Sequence, residues 1–498
     1  MPNQLLATKD IPTIIHEAEK GEGDAHVTLK RSLGALNLAT LGIGAIIGAG
    51  IFSLTGQAAG EFAGPGVTIS FIIAGIGCAL AGLCYAEFAS MIPVAGSAYT
   101  YSYATMGELM AWIIGWDLVL EYAVAAATVA ISWSGYLNKL IGIMAGQDVA
   151  NRWLPWMLSP FSEAKLADGT VIHGIMNLPA VFIIVLMSAL LIKGTKESAT
   201  VNNIIVALKI SVVLCFIALG WGYMNPANHV PYIPENVSGH FGEFGWSGIL
   251  RAAGVIFFAY IGFDAVSTAA QDAKNPKRDL PLGILGSLAI CTVLYILFAH
   301  VLTGVANYQE FRGHDGIAPV AIAIGKTPYH FMKTAIICAI LAGYGSVILV
   351  LLMGQSRVFF SMAKDGLVPQ VFAKVNPKTH TLVSSNILFM VFTGLFAALV
   401  PGSVVGHMTS IGTLLAFVLV CVGVVILRHT KPGLERGFRC PLVPVVPILG
   451  ALVCLGMMAA LDRETWERLV IWLAIGLVIY FGYGKKHSKL RAANAKIP

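Results

Sequence analysis

Apolar runs of about 20 residues, each long enough to cross a lipid bilayer as a helix, follow one another along most of the chain. They predict an all-α membrane protein with about twelve spans. The runs fall near residues 33–57, 66–91, 98–140, 177–194, 199–223, 246–271, 281–306, 330–358, 382–400, 406–428, 441–461 and 466–484. The third is too long for one straight crossing. It is expected to begin as an interfacial segment over 99–107 and to end in an extension beyond the bilayer. Polar residues 146–177 are expected to carry short helices, and 225–245 hold prolines and an Asn236-Val237-Ser238 sequon read as incidental.

Glycine interrupts the first run. Gly42, Gly44, Gly48 and Gly50 fall within nine residues of GIGAIIGAGIF, from Gly42 to Phe52. Glycine weakens a helix and permits turns that other residues resist. Lipid tolerates unwound backbone only where protein or a water-filled cavity covers its polar groups. The stretch therefore predicts a broken helix facing a cavity. Small residues at this spacing also suit a close-packing helix face, and the stretch alone leaves both readings open.

Five runs later comes GVIFFAYIGFDAVS, Gly254 to Ser267, interrupted around Tyr260, Ile261, Gly262, Phe263 and Asp264. Interrupted spans at matching places in two halves are the sequence mark of an inverted-repeat transporter. An odd number of spans per half makes the halves insert in opposite senses, so a five-plus-five repeat with broken helices 1 and 6 is expected. Each break supplies free N–H groups at one half-helix end and free C=O groups at the other. Such a pair suits a zwitterion, with carboxylate on the N–H groups and ammonium on the carbonyls.

Composition supports a multispanning protein. Of 498 residues, 57% are hydrophobic and 12% charged, against about 25% charged in water-soluble domains. Residues 1–30 are polar and carry both charge signs, so the first span is expected to double as the insertion signal. The net charge of +6 needs no nucleic-acid partner, because loops on the cytoplasmic side of membrane proteins are basic. Lys193, Lys196, Lys274, Lys277, Arg278, Arg357, Lys364, Lys374, Lys378, Arg428, Lys431, Arg436 and Arg439 collect on one set of turns with the tail cations Lys485, Lys486, Lys489, Arg491 and Lys496. Both termini are thus expected in the cytoplasm of a plasma-membrane protein. The expected parts are a segment over 1–30, a transport core over 31–428, two peripheral spans over 429–484 and a basic tail over 485–498. The eight cysteines lack metal-ligand spacing and are expected as free thiols.

Charges inside spans are costly, and each is a functional candidate. Lys209, in IIVALKISVVLCF, lies about ten residues from either end of span five, near mid-membrane at about 1.5 Å per residue. It reads either as a proton-coupling group or as a structural cation holding helix-end carbonyls. Asp117 and Glu121 share one face of span three. Glu121, the deeper, could titrate or pair with a cation across the bundle. Asp264 follows the second break and reads as a partner either for a cationic substrate end or for the unwound backbone. Glu87 and Arg357 read equally as gate ions or solvated charges, and His300 and His407 as bland. Neither a phosphate-cradling G-x-x-x-x-G-K-[ST] loop nor a G-x-S-x-G elbow is present, and His16-Glu17 lacks the second histidine of a zinc-protease helix. No enzymatic activity, cofactor or metal is expected, and the energy source is expected to be an ion or solute gradient.

These stretches resemble amino acid permeases of the amino acid–polyamine–organocation superfamily, and within it the cationic amino acid transporter family in its bacterial twelve-span form. GIGAIIGAGIFSLTG, AGLCYAEFASMIPVAGSAYTYSYATMGE, FFAYIGFDAVSTAAQDAKNPKRDLP, FRCPLVPVVPILG and TWERLVIWLAIGLVIYFGYG carry the likeness, which covers residues 29–484. The resemblance implies alternating access by rocking of one bundle against another. It implies that Gly48, Ala49 and Gly50 meet the substrate carboxylate, and that the carbonyls of Ile46, Phe258 and Ile261 meet the α-ammonium. Phe258 matches an aromatic gate, where some relatives have tryptophan. Lys209 matches a lysine proposed to replace a sodium ion in proton-coupled members, and Glu121 a glutamate that could be its proton-linked partner. Ala49 stands where some relatives have serine.

The family name suggests arginine or lysine as substrate. Span eight, TAIICAILAGYGSVILVLLMGQSR, offers leucine, valine and methionine rather than carboxylates, and an unpartnered buried cation is costly. Small or broad-range neutral amino acids are therefore expected, with cationic ones the rival. The expected partners are the amino acid, a proton and the lipid bilayer, with a small membrane subunit as a further candidate. An amino acid sensor is the reading from another class. The flanks of about thirty and about fourteen residues leave little room for a folded output domain.

Overall fold

The computed structural model describes residues 4–19, 33–94, 96–166, 168–193, 198–268, 270, 273–312, 318–376, 379 and 381–494. Lys196, Lys378, Lys496 and residues 1–3 and 20–30 of the segment over 1–30 lie outside the described residues. The fold is helical almost throughout. In chain order the main helices are α1 (Ile11–Glu19), α2 (Ala35–Ile46), α3 (Val67–Met91), α4 (Ser97–Thr105), α5 (Glu108–Val119), α6 (Ala125–Ala145), α7 (Leu178–Lys193) and α8 (Ser198–Trp221). They continue with α9 (Gly245–Ile256), α10 (Pro276–Val305), α11 (His330–Lys364), α12 (Val383–Leu399), α13 (Gly402–Thr430), α14 (Val445–Ala459) and α15 (Arg463–Ile479).

Among the described residues, eight helical segments are long and apolar enough to cross a membrane. The first, Ala35–Met91, has 57 residues, and a turn at Gly64–Gly66, where Gly64 has φ +58°, divides it. Outer faces carry bare apolar side chains, such as Ile204 on α8 at 64% exposure and Val478 on α15 at 73%. A protein in water would hide such surfaces; lipid welcomes them.

Small residues let the inner helices approach. A Cβ on Gly42 of α2 would lie 2.6 Å from Ser287 Oγ of α10, and one on Gly75 of α3 would lie 2.8 Å from Thr292 Cγ2 of α10. The two readings of the glycine stretch are thus both realised. Its N-terminal glycine packs α2 against α10, while Gly48 and Gly50 lie at an interruption.

The third run is broken, as its length required. Residues 97–105 form α4, a separate helix with every residue buried against the rest of the protein. Gly107, at φ +94°, turns the chain into α5, and a Cβ there would meet the Leu6 backbone. The helix then runs to Ala145 through a π-helical turn at Leu120–Val124. Beyond it, the loop contains a helix at Gln147–Trp153, as expected, and a hairpin of β1 (Glu163–Lys165) and β2 (Val171–His173) that the polar sequence did not suggest.

Both described chain ends meet at one end of the bundle. The Lys9 ammonium donates to Asp365 Oδ1 at 2.7 Å, and Tyr99 Oη donates to Asp365 Oδ2 at 2.6 Å. The Lys489 N–H donates to the Asp365 carbonyl at 3.1 Å, and Arg491 Nε donates to Glu108 Oε1 at 2.7 Å. α1 seats Ile11 and Ile14 in the core, as an amphipathic helix should. Chain ends that share one side require an even number of crossings. At this end Glu87 accepts from Arg428 and from the buried Arg436. At the opposite end Arg251 of α9 pairs with Asp462, and its guanidinium lies 4.5 Å from the centre of the Phe62 ring.

Candidate substrate site at two broken helices

Helix α2 stops at Ile46, and Ile47 adopts an extended ψ of 101°. The helix resumes with a π-helical turn at Gly50–Leu54. Gly48 falls in neither element and Ala49 caps the start of the second, and their N–H groups have no acceptor among the described residues. The orphan carbonyls of the last turn of α2 are taken by side chains from two other helices. Lys209 Nζ of α8 donates to the Gly44 carbonyl at 2.8 Å. Tyr295 Oη of α10 donates to the Ile46 carbonyl at 2.8 Å. Beyond the break, Tyr136 Oη donates to the Phe52 carbonyl at 2.6 Å, and Thr55 Oγ1 to the Gly50 carbonyl at 3.0 Å.

The second interruption follows α9. A short 3-10 turn, Phe257–Tyr260, passes into Ile261 at ψ 133° and Gly262 at φ +117°, and helix returns only at Ala265–Thr268. Glycine is required at 262, both for its φ and because a Cβ would lie 2.6 Å from that of Ala45. Asp264 Oδ1 accepts from the Gly262 N–H at 3.3 Å, and Asp264 Oδ2 accepts from Tyr122 Oη of the π-helical turn in span three. Of the two roles open to Asp264 in the sequence, the geometry is that of a backbone partner.

The two breaks meet. A Cβ on Gly50 would collide with the backbone of Ala259, so only glycine allows this approach. Tyr295 Oη stands at the junction, 2.8 Å from the Ile46 carbonyl and 2.9 Å from that of Ala259. On the other side of the first break lies α11. A Cβ on Gly48 would lie 3.1 Å from Val347 Cγ2, and Tyr344 Oη shares a hydrogen bond of 3.0 Å with Ser53. Gly343 of the same helix leaves room for Lys209, whose Cε would lie 3.0 Å from a Cβ placed there.

The sequence-predicted residues are thus gathered unevenly. Ile46, Gly48, Ala49, Gly50, Phe258 and Ile261 converge on the junction, all buried. Phe258, at 5% exposure, sits in the core, and its carbonyl accepts from the Ile261 N–H at 3.1 Å. Lys209 and Glu121 are not joined: no ion pair links them among the described residues, because the ammonium is held by Gly44. Glu121 lies in an acidic neighbourhood with Asp264 and Asp117. The carboxylate oxygens of Glu121 and Asp117 are buried and have no hydrogen-bond partner among the described residues. Tyr122, Tyr295, Tyr344 and Val347 were not singled out from the sequence. The signal available was a phenol inside an apolar run, since a buried Tyr hydroxyl must find an acceptor.

Chemically, the site offers free N–H groups at the start of one half-helix and carbonyls at the ends of two others. The first favours an anion and the second a cation. Residues 33–480 match the family described as amino acid permease. The chain belongs to that family. The permease is 46% identical to the branched-chain amino acid permease BcaP of Bacillus subtilis (strain 168), over 98% of its own length and 100% of the relative's. It is 43% identical to the methylthioribose transporter of the same organism, over 93% and 95% of the two chains. Cationic amino acid transporter 4 of Homo sapiens is more distant, at 29% identity over 93% and 88%. A helical, multi-pass amino acid permease is what the residues led one to expect.

Proposed function

We propose that this permease carries neutral aliphatic amino acids, leucine, isoleucine and valine foremost, across the plasma membrane by proton-coupled alternating access. The observation that carries the reading is the apolar side chain that α11 sets against the first break, Val347 facing Gly48. An aliphatic side chain gains by burial there, while a cationic one would need an acid. Asp264, the acid at the second break, is already held by Tyr122 and Gly262. The 46% identity to a branched-chain permease supports the same substrate class.

In this reading the N–H groups of Gly48, Ala49 and Gly50 receive the carboxylate, and the carbonyls of Ile46, Ala259 and Ile261 receive the ammonium. Phe258 closes over the ligand. Lys209 and Glu121 serve the proton, not as a contacting pair but from two sides of the junction. The core over 31–428 moves, the spans over 429–484 flank it, and both termini face the cytoplasm, where the basic turns favour them.

Purified protein in liposomes should accumulate labelled L-leucine when the lumen is made alkaline, and unlabelled isoleucine and valine should compete. Uptake indifferent to collapse of the gradient would remove the proton and leave exchange or facilitated diffusion. Competition by arginine and lysine, without leucine uptake, would move the substrate class to cationic amino acids. The 43% identity to a methylthioribose transporter puts that thioether sugar on the same panel. It has neither carboxylate nor ammonium, so its transport would require a different use of the junction.

A further inference from the structure

We propose that Tyr295 is a positioning residue that couples the two breaks and presents their carbonyls to the substrate's amino group. The ammonium role rests on the amino acid reading above; the coupling does not.

The argument starts from one proton. A phenol has a single O–H to donate, yet Tyr295 Oη lies 2.8 Å from the Ile46 carbonyl and 2.9 Å from the Ala259 carbonyl. It can satisfy one of them fully, or both in part. Each carbonyl has two lone pairs, and each ends a segment of interrupted helix where carbonyls lack intrahelical partners. The hydroxyl therefore fixes the spacing of the two carbonyls while leaving acceptor capacity on both. An ammonium carries three donors and fits what is left.

The placement of the hydroxyl is itself fixed. Tyr295 is 0% exposed, and its ring packs against Phe71 and Tyr260, with centroids 5.5 Å away in each case. Tyr260 in turn donates to the Phe71 carbonyl at 3.0 Å. The position lies beside the closest approach of the breaks, where Gly50 meets Ala259. A movement of one half-helix is thus passed to the other through this oxygen on α10 as well as through the Gly50–Ala259 contact.

The variant that isolates the hydroxyl is Tyr295→Phe, which keeps the ring packing. Hydrogen–deuterium exchange of the ligand-free protein reads the coupling directly. Amides over 46–50 and over 259–263 should both exchange faster, by about tenfold, the factor that corresponds to one ordinary hydrogen bond. Acceleration in one segment alone, or in neither, overturns the coupling. Uptake of L-leucine into liposomes reads the second role. Tyr295→Phe should raise KM by about tenfold with maximal rate within about twofold, since a misplaced acceptor weakens binding. A fall in maximal rate at unchanged KM marks a structural part only and overturns the positioning role. Wild-type protein that binds no leucine refutes the substrate reading, and the exchange measurement then decides the coupling by itself.

Discussion

Lys209 holds Gly44. The ammonium donates to that carbonyl at 2.8 Å across 165 residues of sequence, from a side chain that is 1% exposed. A helix that stops inside a membrane leaves carbonyls without partners, and the cation satisfies one at the point where α2 ends. Replacing Lys209 by alanine removes the donor where water does not reach, at a cost of about 1–3 kcal/mol. Lys209→Ala should therefore lower both thermal stability in detergent and gradient-driven uptake, the latter by at least about tenfold. Gly343→Ala should produce a milder version of the same defect, because its methyl would press on the lysine Cε at 3.0 Å. Full uptake by Lys209→Ala with wild-type pH dependence would show that the cap is dispensable.

Tyr122 and Asp264 join span three to the second break. Asp264→Asn and Tyr122→Phe should each destabilise the protein, and the double variant should be little worse than the more damaging single one. The coupling expected from a double-mutant cycle on a buried charge-assisted pair is about 1–3 kcal/mol. Thermal unfolding of the four proteins in one detergent measures it. Additive losses would mean that the two side chains act independently.

The glycines differ in what surrounds them, and the difference can be read by alanine. Gly50→Ala drives a methyl into the backbone of Ala259, which cannot move aside, and overpacking of this kind costs about 1–3 kcal/mol or more. Gly48→Ala meets only a Val347 methyl at 3.1 Å, a side chain with some freedom. Gly286 on α10 has nothing within 4 Å of a Cβ, and alanine there should gain about 0.5–1 kcal/mol of helix stability. Monodisperse yield and uptake should rank Gly286→Ala first, Gly48→Ala second and Gly50→Ala last. Wild-type activity in Gly50→Ala would mean that the two breaks need not touch.

The breaks were legible in the sequence for a local reason. Gly48, Gly50 and Gly262 weaken helix wherever they occur, so they flagged the two segments, although Gly42 and Gly44 of the same stretch stay inside α2 and the stretch alone also fitted a packing face. The side chains that complete the junction were not legible, because their roles depend on which spans become neighbours. Tyr295 reads as one aromatic among many until α10 is packed against α2. The family resemblance made Glu121 a proton-linked partner for Lys209, but the sequence also left Lys209 the role of a cation on helix-end carbonyls, and its contact with Gly44 is of that kind. The hairpin over 163–173 escaped notice because strands of three residues leave almost no periodicity. The length of the third run showed that it could not be one straight crossing, but nothing in it announces that Gly107 takes a positive φ and turns α4 into α5.

Specificity should reside on α11. Val347 lies against Gly48 and is 3% exposed, so its two methyls occupy space beside the first break. If the substrate's side chain extends toward this wall, Val347→Ala enlarges the pocket by about two methyls. Discrimination by one or two such groups amounts to about 1–3 kcal/mol, or tenfold to two-hundredfold in competition. The variant should lose affinity for valine and isoleucine and gain phenylalanine as a competitor, with Lys209 and Asp264 untouched and pH dependence unchanged. Competition against labelled L-leucine in liposomes, run over all standard amino acids for both proteins, gives the ranking. An unchanged order of competitors would place the substrate's side chain away from α11, and the aliphatic preference would then need another wall.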